Sequence, residues 1–141
     1  MQVCGIEIKG SEAIIAIADL QDGQFLHVPA ETKRIALADD EDAANVRSFA
    51  DLLAGFMRDS CISSIAVKKR GKKGEFAGGA TTFKIEGVLQ LLKDCQVELI
   101  SAQTITAQNR RHSFPELSSL NKYQFEAFRT ACTALAKPAQ G

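Results

Sequence analysis

The run Val3-Cys4-Gly5-Ile6-Glu7-Ile8-Lys9-Gly10 is short, apolar and interrupted at its middle by one carboxylate. Such a run, closed by a glycine, predicts a β-strand buried in a sheet. An acid inside a buried strand costs free energy unless it meets a cation, a metal ion or several hydrogen bonds. The group that faces Glu7 therefore constrains how the rest of the chain is laid around this strand.

The 141 residues fit one domain over 1–141, with one core. After a turn at Gly10-Ser11, residues 12–20 predict a second strand. Asp22-Gly23 is a strong hairpin signal. A third strand follows over 24–28, closed by Pro29, and Arg34 to Leu37 continues that edge or extends the meander. Val46, Phe49, Leu52, Leu53, Phe56 and Met57 then recur at helical spacing. The acidic run Asp39-Asp40-Glu41-Asp42 precedes that helix and reads as capping rather than as a metal cage. Residues 62–67 predict a strand, 78–93 a helix and 96–100 a strand. Residues 104–119 read as less regular, and a last helix, capped by Ser119 or Asn121, runs to about Leu135. The order β-β-β-α-β-α-β-α gives an α/β fold. Its expected form is a mixed five-stranded sheet, with three antiparallel strands first and helices on both faces.

Lys plus Arg and Asp plus Glu number 17 each, so a globally basic nucleic-acid binder is not indicated and local charge must carry any such argument. The densest local charge is Lys68-Lys69-Arg70-Gly71-Lys72-Lys73-Gly74, at the carboxyl end of a strand, where open α/β sheets place ligands. No apolar run approaches the ~20 residues that cross a bilayer, and no secretory signal opens the chain. Cys4, Cys61, Cys95 and Cys132 are far apart in apolar segments and read as buried, reduced thiols of a cytoplasmic protein. His27 and His112 stand apart, so neither a metal–histidine site nor a Ser–His or Cys–His nucleophile is expected.

The element order and several local stretches resemble the ribonuclease H-like superfamily, in particular RuvC-type Holliday-junction resolvases and their YqgF-like relatives. Gly5-Ile6-Glu7-Ile8-Lys9-Gly10 is similar to their opening strand. Ile65-Ala66-Val67-Lys68-Lys69 resembles the strand that carries a second acid, and Gly78-Gly79-Ala80 the start of the following helix. Lys122-Tyr123-Gln124-Phe125-Glu126-Ala127 resembles the acidic start of the final helix. The chain also looks like a group of small bacterial proteins of unknown function placed in this superfamily. The resemblance implies two divalent cations, Mg²⁺ or Mn²⁺, held by acids and cleaving phosphodiesters. Carried over by position, Glu7 and Glu126 are the metal-binding acids. Lys68 or Lys69 stands where another acid is expected, and Tyr123 stands for the last.

The favoured expectation is a nucleic-acid-binding protein with a degenerate metal-nuclease site. Glu7, Lys69 and Glu126 hold the catalytic positions, while Lys68, Lys69, Arg70, Lys72, Lys73, Arg110 and Arg111 contact DNA or RNA. Three other readings stay open. One is an active Mg²⁺- or Mn²⁺-dependent nuclease or resolvase that recruits Glu75. Another is a nucleotide or phosphate binder using Gly71–Gly74 and Gly78–Thr82. The last is an interaction protein with Glu7 in a structural pair with Lys69 or Lys9. Glu86 reads as a solvent-facing helix residue. A homodimer is compatible with each reading, and no membrane partner is expected.

Overall fold

The computed structural model describes residues 1–71 and 79–136. The strand that bears Glu7 is β1 (Gln2–Lys9), and it lies in the middle of the sheet. β2 (Glu12–Gln21) runs antiparallel to it along its whole length, and β3 (Gln24–Val28) runs antiparallel to β2. The β2–β3 hairpin turns through Asp22 and Gly23 at φ of 51° and 77°, the positive values a two-residue hairpin loop requires. β5 (Ser64–Lys68) lies parallel to β1 on its other side, and β6 (Gln96–Ile100) lies parallel to β5. The strand order is β3-β2-β1-β5-β6.

Among the described residues the sheet has six strands rather than five, because β4 (Arg34–Ala36) also pairs with β2. It takes the stretch Glu12–Ile14, beyond the part of β2 that β3 covers. Pro29 brings no N–H to a ladder, so the edge stops at Val28 and restarts at Arg34.

Alternation along the strands sends the two sets of side chains to two helical layers. Cys4, Ile6, Ile8, Ile65 and Val67 pack with Phe49, Leu53 and Met57 of α1 (Ala43–Asp59) and with Ile85, Val88 and Leu89 of α2 (Ala80–Gln90). On the opposite face, Val3, Ala16, Ala18 and Ala66 pack with Ala127, Phe128, Ala131 and Cys132 of α4 (Phe125–Ala136) and with Ile105. Asp42 caps α1 by accepting the Ala44 N–H at 2.9 Å, as the acidic run predicts. Asn121 opens the last helical stretch through a capping box with Gln124, ahead of a 3₁₀ turn, Lys122–Gln124, that leads into α4.

Three expectations need correction. Residues 102–112 are not irregular but form α3 (Ala102–His112), capped by the Ser101 hydroxyl on the Thr104 N–H. Ile105 is the only residue it buries, so the helix carries almost no apolar period. Glu86 is 8% exposed, not solvent-facing, and its Oε2 has no hydrogen-bond partner among the described residues. Among the cysteines only Cys4 and Cys132 are buried, and burial pushes both thiols up, Cys132 to about 12. Cys61 is exposed, in the left-handed residue that follows α1.

Candidate functional site

Glu7 lies on the α4 face of β1, two residues after Gly5. Gly5 is there because α4 presses on it: a Cβ would overlap the Ala127 carbonyl and meet the Ala131 nitrogen at 2.8 Å. The parallel register Gly5↔Ala66 and Ile6↔Val67 brings Lys68 beside Glu7. Lys68 shares its face with Ala66, since Ile65 and Val67 point to the other layer. The start of α4 is fixed by Gln124, whose Nε2 donates to the Ile15 carbonyl at 2.9 Å and whose Oε1 accepts from Asn121. That anchor sets Glu126 over the end of β5.

These three elements converge on one ammonium. Lys68 Nζ lies 3.0 Å from Glu126 Oε2, in a hydrogen bond, and 3.6 Å from Glu7 Oε2. The other oxygen of Glu126 accepts from Arg129 at 3.0 Å, and Arg129 also reaches Glu116 at 3.1 Å. The charges thus alternate from the sheet outward: Glu7, Lys68, Glu126, Arg129, Glu116. Side-chain exposure is lowest at the sheet, 6% at Glu7 and 17% at Lys68, higher at Arg129 and Glu126, 24% and 33%, and highest at Glu116, 63%. Burial pushes the Glu126 carboxyl up, but the hydrogen bonds and charges of Lys68 and Arg129 outweigh it and hold it below its ordinary value.

The arrangement does not fit a resident divalent cation. Among the described residues Glu7 and Glu126 are the two carboxylates at this point, and an ammonium already lies between them. Among the described residues no group of three His, Cys, Asp or Glu side chains could hold a metal ion. At ~4 Å and an effective dielectric of 20, unit charges interact by ~4 kcal/mol, so a divalent ion beside Lys68 would meet ~8 kcal/mol of repulsion. Tyr123, where the resemblance expects an acid, lies under the Arg34 guanidinium, 5.2 Å from its ring centre.

The other predicted residues separate. The Glu7 ion pair is made by Lys68; Lys69 is exposed, and its backbone N–H extends the β5–β6 pairing through Ile100. Arg70 is half-buried, and its Nε has no hydrogen-bond partner among the described residues. Lys72, Lys73 and Glu75 lie outside the described residues. Arg110 and Arg111 are exposed in the last turn of α3, next to His112, which packs against Phe25 at 6.0 Å. Phe25 pairs with Leu20, at the amino end of β1, so these arginines lie about six strand residues, or ~20 Å, from the Glu7–Lys68 edge.

At α2, the predicted anion position is met by the chain itself. Asp40 accepts from the Thr81 hydroxyl at 3.1 Å and pairs with Lys84 at 3.6 Å. Sequence reasoning also missed a Ser–His contact: His27 Nδ1 and Ser119 Oγ are 2.7 Å apart. No local spacing could have shown a pair separated by 92 positions.

A search of curated proteins by sequence found no match. Among solved structures, the Thermus thermophilus RuvC structure matches with a TM-score of 0.69 at 10% identity, over 94% of this chain and 92% of that one. T. thermophilus RuvC in complex with a Holliday junction substrate matches with a TM-score of 0.67 at 11% identity, over 94% and 91%. At such identity the likeness shows the fold, which is RuvC-like and hence ribonuclease H-like. A family model for a protein of unknown function, DUF3010, matches residues 1–134, and the chain belongs to that family.

Proposed function

We propose that this protein binds nucleic acid along the carboxyl edge of β1 and β5 and holds it without hydrolysing it. The observation that carries the reading is the ion-pair network. Lys68 and Arg129 engage the carboxylates of Glu7 and Glu126, which therefore do not assemble a two-metal hydrolytic centre. Lys69 stands exposed at the same strand end, with no ion partner among the described residues, and is available to a phosphate. The sequence adds Lys72 and Lys73 just beyond it. The RuvC relative in fold was solved with a Holliday junction, which supports a polyanion as the ligand class. Arg110 and Arg111 would join the same contact only on a ligand that spans ~20 Å, about six base-pair steps at ~3.4 Å each.

Fluorescence anisotropy with a labelled four-way junction, a linear duplex and an RNA–DNA hybrid tests this reading across a salt series. Affinity is expected to fall with a linear log–log salt dependence. The Lys69→Glu variant is expected to bind about tenfold more weakly with a shallower slope. Absence of binding at low salt by wild type and variant alike would remove the reading.

A further inference from the structure

The ammonium of Lys68 lies within ion-pair reach of one oxygen from each of two carboxylates, supplied by a central strand and a packed helix. We propose that Lys68 is a resident cation, occupying a cation position between Glu7 and Glu126, and that removing this one side chain converts the pair into a divalent-cation site. The inference goes beyond nucleic-acid binding and is tested without any nucleic acid.

Three observations carry it. First, Glu7 is 4% exposed and Lys68 is its ion partner, so the strand is built around a cation at this point. Second, the Glu126 carboxylate is held from behind by Arg129 on Oε1, which leaves Oε2 aimed at the position of Nζ. Glu126 is thus held by Arg129 as well as by Lys68, and Glu7 is carried on the central strand of the sheet. Third, the charge count favours an incoming cation once the lysine is gone. Glu7, Glu126 and Glu116 against Arg129 leave a net charge of −2, against −1 with Lys68 present. Small hard cations such as Mg²⁺ and Mn²⁺ keep several waters and use one or two carboxylates, and truncating the side chain beyond Cβ vacates room for those waters.

The test is calorimetric titration of MnCl₂ into wild type, Lys68→Ala and Lys68→Ala/Glu7→Gln. Wild type is expected to show no Glu7-dependent binding. Lys68→Ala is expected to take up one Mn²⁺ at least about tenfold more tightly, since the like charge of the ammonium is removed. Adding Glu7→Gln should abolish that gain. Lys68→Arg, which keeps the charge, should behave as wild type. Wild-type binding that is lost in Glu7→Gln would overturn the proposal. So would a folded Lys68→Ala that binds no more tightly than wild type. If the alanine variant does not fold, Lys68→Gln is titrated instead, and the same two results decide.

Discussion

Lys68 holds together two acids that would otherwise repel each other at the end of β5. Removing one partner of a buried ion pair leaves an uncompensated charge, at ~3–5 kcal/mol where burial is complete. Lys68 and Glu126 are partly solvated, so Lys68→Ala is expected to cost about 2–3 kcal/mol in urea unfolding. Adding Glu7→Gln should recover part of that loss. A loss below about 0.5 kcal/mol would mean that the pairing is ornamental. The same network predicts an acid limb. The carboxyl of Glu126 is held below its ordinary value of 4.5 in the fold, so its share of stability is present above that pH. It is lost as pH falls through the lowered value. Urea titrations from pH 6 to 3 should therefore show a steeper loss for wild type than for Glu126→Gln. Equal slopes would contradict the pairing. Parity with Ala66 puts Lys68 on the Glu7 face, yet the sequence pointed to Lys69 or Lys9 as the partner, because a basic run with no apolar residue after Val67 hid where the strand stopped.

Among elements, α4 matters most to the site, and it is fixed at two places. Gly5 lets its backbone lie on β1, and Gln124 ties its start to β2. Gly5→Ala would drive the helix off the sheet. The expected cost is about 3 kcal/mol, at the upper end for overpacking, because the clash is with backbone. Spectroscopically, the Lys68–Glu126 contact should loosen in the same variant. An unchanged melting transition for Gly5→Ala would show that the close approach is not required. Gln124→Ala should cost about 2 kcal/mol by stranding the buried Ile15 carbonyl. Asn121 was one of two cap candidates beside Ser119, and the structure selects it, while the Asp22-Gly23 hairpin was plain. α3 was not legible, because a helix that buries Ile105 alone gives no apolar stripe to detect. Glu86 misled for a related reason: composition says that Glu faces water, while the packing of α2 encloses it.

At the scale of the molecule, a chain of zero net charge places its cations unevenly. Lys68, Lys69 and Arg70 gather at the carboxyl edge of the parallel strands, and Arg110 and Arg111 lie ~20 Å away. Apart from α3 and the separate strand β4, the order of elements and the two-sided sheet were readable from turn chemistry and hydrophobic period. The site was readable only in part. The sequence marked Glu7 and Glu126 through their resemblance to resolvase acids, but the contact between them passes through Lys68 across 58 positions, which no local pattern encodes. On the proposed function, this RuvC-like scaffold binds nucleic acid and leaves it intact. The most direct measurement incubates the protein with an end-labelled four-way junction in Mg²⁺ and in Mn²⁺, then resolves half of each sample on a native gel and half on a denaturing gel. A retarded junction is expected on the first and full-length strands on the second. Cleavage products that vanish in Glu7→Gln would contradict it.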